Sequence, residues 1–182
     1  MNGNTCNWDR AGFTLIELLV AISIIAILAA ISVPVIGRAL ESAKRAQAMT
    51  EISSLETAIR AYYNEYSRFP HGSGGPDMVY DNDNAELMNV LRSRDGTGNT
   101  GFQRNPRRIV FIEVPERSLS TTGENPHYID PWERRYNAAT DTNFDNDVET
   151  GDPHGVIENR NVAVWSLGPE PDNPEKHLTS WN

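Results

Sequence analysis

The distribution of apolar residues divides the chain into regions of different character. Residues 13–36, FTLIELLVAISIIAILAAISVPVI, form an apolar run of 24 residues in which Glu17 is the only charged side chain. From residue 37 to residue 69 apolar positions recur every three or four residues, which predicts an amphipathic helix. After residue 70, turn-forming residues alternate with short apolar runs, a pattern typical of a small domain with much loop.

The amphipathic region predicts a helix with one buried face. Its apolar stripe consists of Ala48, Ile52, Leu55, Ile59, Tyr62, Tyr63 and Tyr66. The opposite face carries Glu51, Glu56, Arg60 and Glu65. Because no strong helix breaker separates the apolar run from this stripe, we predict one continuous helix from Phe13 to Tyr66.

The region after the long helix predicts further short elements. A helix is expected at residues 85–92 from its apolar spacing. Strands are expected at residues 108–114, 136–139 and 162–166, where β-branched and aromatic residues cluster. The predicted fold class is therefore α+β, with a long N-terminal helix packed on a small antiparallel sheet with long loops.

The length of the apolar run indicates a membrane-spanning helix. It exceeds the ~18 apolar residues that mark such a helix, and at ~1.5 Å per residue it would reach roughly 36 Å. The alternative is a secretory signal peptide cleaved near Ala30-Ile31-Ser32, but the apolar region of such a peptide covers only ~7 to 15 residues. Pro34 either kinks this helix or simply ends the membrane segment.

Glu17 and its neighbours indicate what kind of membrane helix this is. A carboxylate in hydrocarbon costs on the order of 2.5 to 3.5 kcal/mol, so it normally marks a partner or a function. The run from Gly12 and Phe13 to Glu17, GFTLIE, follows a short polar stretch, MNGNTCNWDRA. It resembles the type III signal of prepilins. The resemblance implies that a prepilin peptidase cuts after Gly12 and that Phe13 becomes an N-methylated terminus, whose amine pairs with Glu17 of a neighbouring subunit.

Further motifs resemble the major pseudopilin of bacterial type II secretion systems. They are LETAIRAYYNEYSRFP at 55–70, DPWERRY at 130–136, SLGP at 166–169 and TSW at 179–181. Relative to the usual family pattern, Glu133 replaces a glycine and Arg135 a proline. The resemblance implies a leader at 1–12, a transmembrane helix at 13–36, its amphipathic continuation at 37–69 and a periplasmic head at 70–182.

The resemblance also implies a function without catalysis. The chain would be the structural subunit of a periplasmic pseudopilus that drives type II secretion, anchored once in the bacterial inner membrane. Its expected partners are other copies of itself, minor pseudopilins, the inner-membrane assembly platform, the prepilin peptidase and membrane lipid. One alternative is a type IV pilin for adhesion, motility or DNA uptake; another is a membrane-anchored calcium-dependent binding module.

Charge and composition narrow these possibilities. The net charge of −9 argues against nucleic-acid binding, which needs a concentrated basic surface. The single cysteine, Cys6, permits no intramolecular disulfide and no cysteine-based zinc site. No histidine has the spacing of a catalytic motif. Arg38, Lys44 and Arg45 follow the apolar run, a charge distribution that favours the reverse membrane orientation, but the prepilin signal is the more specific indicator.

Calcium is the candidate cofactor, at two loops, and the alternative is that these loops are solvated turns that bind no metal. Asp141, Asn143, Asp145, Asp147 and Asp152 approximate the ligand spacing of an EF-hand loop, although Asn146 replaces its glycine and no flanking helices are evident. The resemblance implies a second site at the last loop, formed by the backbone near Leu167 with Asp172 and Glu175. Lys176 and His177 stand there in place of the usual acidic residues and oppose cation binding.

Overall fold

The computed structural model describes residues 12–72, 75–81, 83–120 and 125–181, without the side chains of residues 31–35. The helices are α1 (Leu15–Tyr66) and α2 (Ala85–Leu91). The strands are β1 (Met78–Tyr80), β2 (Asn137–Thr140), β3 (Val148–Glu149), β4 (Val156–Ile157), β5 (Val162–Ser166) and β6 (Leu178–Thr179). The chain divides into two compact units, the first ending at Ser42 and the second beginning at Ala43.

The first unit contains the N-terminal part of α1. Every described side chain from Phe13 to Ala30 is exposed, and Phe13 is 81% exposed. Among the described residues, none of the helices combines the length and the apolar character needed to cross a membrane. The side chain of Pro34 lies outside the described residues, as do those of the rest of 31–35, which fall within the predicted membrane run.

The second unit is built around the buried stripe that the sequence predicts on α1. Ile52, Leu55, Ile59 and Tyr62 are fully buried. They share one core with side chains of α2 and of the sheet, namely Leu87, Met88, Leu91, Tyr136, Ala138, Val162 and Val164. The hydrophobic effect therefore holds α1, α2 and the sheet together in this unit.

The sheet of the second unit has four antiparallel strands in the order β1-β2-β5-β6. In its centre Ala138 pairs with Val164 and Thr140 with Val162, and β3 and β4 form a separate two-stranded sheet. The expected α+β class is confirmed. The predicted helix at 85–92 and the strands at 136–139 and 162–166 are confirmed within one residue, whereas the short strands β1, β3, β4 and β6 were not predicted.

The strand predicted at residues 108–114 was wrong, because this segment pairs with no described strand. Its backbone N–H groups at Phe111 and Ile112 both donate to the carbonyl of Leu91, at 2.8 and 3.4 Å. The side chain of Asn105 takes over other backbone bonds, since Nδ2 donates to the carbonyl of Ile109 and Oδ1 accepts the N–H of the same residue. A left-handed Arg108 (φ 54°) also interrupts the extended backbone that a strand requires.

The charged face of α1 contacts side chains that lie far along the chain. Arg60 donates from Nη1 to the side chain of Asn161 at 2.6 Å, and Glu65 forms an ion pair with Arg107. Glu51 is half-buried and accepts a hydrogen bond from the Tyr136 hydroxyl at 2.6 Å. The charged face is thus partly covered by loops of the second unit, which helical periodicity cannot reveal.

Candidate assembly site

The start of α1 places Thr14 and Glu17 in direct contact. Glu17 Oε2 accepts hydrogen bonds from the Thr14 backbone N–H at 2.9 Å and from the Thr14 hydroxyl at 2.6 Å. In return, the Thr14 hydroxyl accepts the backbone N–H of Glu17 at 3.3 Å. This reciprocal arrangement is a capping box, which satisfies backbone donors that a helix leaves free at its N-terminus. The Thr-x-x-Glu spacing of a capping box is present in the sequence, but Glu17 was predicted only as an assembly residue.

The capping box holds the Glu17 carboxylate on an apolar surface. Phe13, Ile16, Val20, Ala21 and Ile24 lie beside it on the first unit. Both bonds from Thr14 reach Oε2 and orient the carboxylate, and among the described residues no hydrogen bond reaches Oε1. Chemically, the site can present a fixed negative charge to a cation that arrives with an apolar helix.

Gly12 lies immediately before this site on an exposed backbone. A Cβ atom added at Gly12 would have no neighbour within 4 Å. Within the described residues the fold therefore does not require glycine here, and Gly12 and Phe13 are both exposed. The three predicted residues Gly12, Phe13 and Glu17 are brought together by local sequence alone.

The predicted calcium loop at 141–152 uses several of its side chains to bind its own backbone. Asp141 accepts the N–H groups of Phe144 and Asn146 at 2.6 and 3.0 Å. Asn143 accepts the N–H of Asp145 at 2.9 Å, and Asp147 accepts that of a distant residue, Asn159, at 2.9 Å. Asp152 is exposed in the following turn. These bonds are those of an Asx-rich turn, and calcium binding here stays a prediction.

The second predicted calcium loop contains an ion pair of its own. Lys176 Nζ donates to both oxygens of Glu170, at 2.7 and 2.6 Å, so its charge is compensated within the loop. Asp172 and Glu175 are exposed, and Leu167 is half-buried. Within the described ranges, no three His, Cys, Asp or Glu side chains are grouped so as to hold a metal ion. This site likewise stays a prediction.

Comparison with known proteins bears on the N-terminal region. Residues 9–33 match the prokaryotic N-terminal methylation motif, which includes Gly12, Phe13 and Glu17. The similarity to this motif covers the N-terminal region of the chain alone.

The proteins to which this chain is similar are named either as pilus proteins or as type II secretion proteins. It is 40% identical over 63 residues to the type IV major pilin protein PilA of Myxococcus xanthus, which covers 35% of this chain and 29% of the relative. It is 39% identical over 68 residues to the type II secretion system core protein G of Pectobacterium carotovorum, covering 37% and 44%. A fimbrial protein of Pseudomonas aeruginosa is 33% identical over 105 residues, covering 58% and 66%.

These matches cover only part of the proteins compared. The chain spans from 29% to 49% of the length of the first three curated relatives. No solved structure is significantly similar to it. The similarity is thus established for the N-terminal region and does not extend over the whole chain.

Asp130, in the Asp-Pro-Trp segment, is a structural residue that sequence reasoning did not single out. Its Oδ2 accepts a hydrogen bond from the Ser166 hydroxyl of β5 at 2.6 Å, and Oδ1 accepts the N–H groups of Trp132 and Arg134 at 2.9 Å each. Burial raises the pKa of Asp130, and the bond from Ser166 opposes this shift. The buried carboxylate of Asp130 thus connects the Asp-Pro-Trp turn to the sheet by hydrogen bonds.

Proposed function

We propose that this chain is the structural subunit of a filament, processed after Gly12 and assembled through its N-terminal helix. The observation that carries this proposal is the exposure of every described side chain from Phe13 to Ala30, although nearly all of them are apolar. A helix that is apolar all round is stable only when lipid or other helices surround it. Each large apolar side chain that becomes buried contributes ~1.5 to 3 kcal/mol. The helix can therefore anchor the chain in lipid and pack against the same helix of other copies in a filament.

The capped carboxylate supplies the register of that assembly. Cleavage after Gly12 would create an α-ammonium at Phe13, and Glu17 Oε1 is the oxygen left open for the ammonium of a neighbouring copy. Thr14 positions the carboxylate through Oε2. An isolated charge is costly in an apolar medium, and a paired one is less so. Pairing between subunits therefore favours the polymer over the stored monomer.

We assign the filament to type II secretion, as a periplasmic pseudopilus. The prepilin-type helix, at 13–36, would span the inner membrane once before assembly, and the unit after Ala43 would lie in the periplasm. Two relatives are named type II secretion system core protein G, which supports this assignment. The corresponding partners are a prepilin peptidase, minor pseudopilins and the inner-membrane assembly platform. No catalytic role is assigned to the chain.

A type IV pilin is the second candidate, favoured by the similarity to a type IV major pilin and to a fimbrial protein. The two candidates are separated by complementation. The chain should restore export in a secretion strain that lacks its own core protein G and should leave a pilus-deficient strain without surface fibres. The reverse result would establish the pilin.

The processing step is tested by intact-mass analysis of the mature protein. Loss of residues 1–12 with one added methyl group is expected, and a mature protein that still begins at Met1 or that begins after Ser32 would refute processing at Gly12. Assembly is tested with Glu17→Gln, which keeps the shape of the side chain but removes its charge. Filaments should be lost, whereas the exposed control Glu116→Gln should assemble normally. If Glu17→Gln formed filaments in unchanged yield, Glu17 would only cap the helix, as expected for a plain membrane anchor.

A further inference from the structure

A basic groove lies on the second unit, although the chain as a whole is strongly acidic. We call it the arginine groove; its cavity is about 600 Å³ and is lined by Arg92, Arg94 and Arg108 together with Phe102, Val110 and Ile112. Val110 is 53% exposed. The groove thus combines three guanidinium groups with an apolar floor that is accessible from outside.

Within the described part of the chain, the three guanidinium groups have no acidic partner. No described carboxylate lies within 4.0 Å of Arg92, Arg94 or Arg108, and Glu113 at the rim forms no ion pair at that distance. Burial and the nearby charge of Arg94 lower the pKa of Arg92. The Arg108 guanidinium lies 4.2 Å from the centroid of the Phe102 ring, which orients it. Such preoriented guanidinium groups are suited to bind carboxylates in pairs of hydrogen bonds.

The backbone around the groove is strained. Ser93, Phe102 and Arg108 have φ angles of 54°, 60° and 54°, in the left-handed region that residues other than glycine seldom adopt. Because strain of this kind concentrates at binding sites, its grouping at one groove agrees with a role in recognition.

A complementary surface occurs elsewhere on the same unit. We call residues 143–152 the acidic loop; Asp145, Glu149 and Asp152 are exposed there, and the segment contains no basic residue. Phe144 is 50% exposed at the same place. Hydrogen bonds from the Asp147 N–H and the Asn143 amide hold the Asp145 carboxylate in place, at 3.0 and 2.9 Å. An aromatic ring flanked by carboxylates matches the apolar floor and the guanidinium groups of the groove.

The two surfaces lie on different sides of the end of α1. Phe111, next to the groove, contacts Tyr62 and Tyr66, whereas Phe144 of the acidic loop contacts Tyr63 and Phe69. Consecutive helix residues point about 100° apart, so the two surfaces face different directions and suit an occupant from another molecule.

We propose that the arginine groove of one copy binds the acidic loop of a second copy. This contact joins two different surfaces, so a contacting pair still has one free groove and one free loop, and the contact can repeat along an open polymer. Repulsion between copies of net charge −9 is screened beyond ~8 Å at physiological ionic strength, whereas contact pairs are screened less. The inference rests on the proposed filament and names a second contact between its subunits.

The contact is tested by reversing charges in the full chain. Arg94→Glu and Asp145→Arg should each lower filament yield about tenfold or more, while the double variant should recover it because the pair is restored with opposite polarity. Arg117→Glu and Glu116→Lys make the same charge changes at exposed positions outside both surfaces and should leave the yield unchanged. Single variants that match these controls, or a double variant that folds without recovery, would overturn the proposal.

A photo-crosslinker at position 144 makes the test independent of filament formation. Phe144→benzoylphenylalanine in the membranes of cells that express the full chain should crosslink to peptides containing Phe102 or Val110 of a second copy. Crosslinks to other peptides, or to lipid, would overturn the proposal even if filaments form. Crosslinks to the groove without any filament would support this contact while refuting the proposed filament. Loss of binding to phosphatidylglycerol vesicles in Arg94→Glu, with normal filaments, would assign the groove to lipid instead.

Discussion

Tyr136, directly before β2, forms a hydrogen bond to α1, and replacing it with phenylalanine removes that bond alone. The tyrosine is fully buried, and its hydroxyl donates to Glu51 Oε2 at 2.6 Å. A hydrogen bond to a charged group contributes ~1.5 to 3 kcal/mol, and loss of the donor leaves the acceptor undersolvated. Glu51 keeps bonds from Gln47 at 3.0 Å and Ser118 at 3.3 Å, but both reach Oε1. We therefore expect Tyr136→Phe to lower the free energy of unfolding by ~1.5 to 3 kcal/mol.

Two other tyrosines provide matched controls for the loss of a hydroxyl. The Tyr62 hydroxyl donates to the neutral carbonyl of Arg104 at 2.5 Å and also interacts with the side chain of Arg68. Its loss leaves no carboxylate without a donor, so Tyr62→Phe should cost only ~0.5 to 1.5 kcal/mol. The Tyr80 hydroxyl is buried and has no hydrogen-bond partner among the described residues. Tyr80→Phe should therefore leave stability unchanged or raise it slightly, because removing an unsatisfied polar group removes a desolvation cost.

The measurement is urea unfolding of the full chain, followed by near-ultraviolet circular dichroism. The expected order of destabilisation is Tyr136→Phe, then Tyr62→Phe, then Tyr80→Phe. A loss for Tyr136→Phe no larger than that for Tyr80→Phe would refute the argument, because Glu51 would then be satisfied equally well by water. Equal and large losses for all three would show that the hydroxyls fill space and do not act through their bonds.

Three further predictions concern titration and metal binding. Burial, and then the charge of His177, lower the pKa of His154 below its usual 6.5. The contribution of neutral His154 to stability is therefore complete above that value and is lost as pH falls. In His154→Gln the melting temperature should decline less between about pH 7.5 and about pH 5. Ser166→Ala removes the hydroxyl that favours ionised Asp130, so its destabilisation should be larger at neutral pH than near pH 4, and an equal loss at both would refute that role. If the loop at 141–152 binds calcium, chelation should lower the melting temperature of the native chain and Asp145→Asn should abolish the difference; identical melting curves would exclude the site.

Local sequence was sufficient to predict the features whose partners are close along the chain. The buried stripe of α1 follows from the helical spacing of its side chains, and the strands β2 and β5 were expected from the residue types within each segment. The assembly site was predicted from Gly12, Phe13 and Glu17, which act within six residues. Even the capping box that was overlooked there has a sequence signature, because Thr14 and Glu17 are three residues apart.

Tertiary structure decided the features whose partners lie far along the chain. Glu51 belongs to the polar face of its helix by spacing, yet it accepts a bond from Tyr136, 85 residues away. The segment at 108–114 has the composition of a strand, but the carbonyl of Leu91 and the side chain of Asn105 take its backbone bonds. The arginine groove gathers residues of 92–114 that no period relates. Periodicity therefore determined which face of α1 is apolar, and only the folded structure determined which residues cover its polar face.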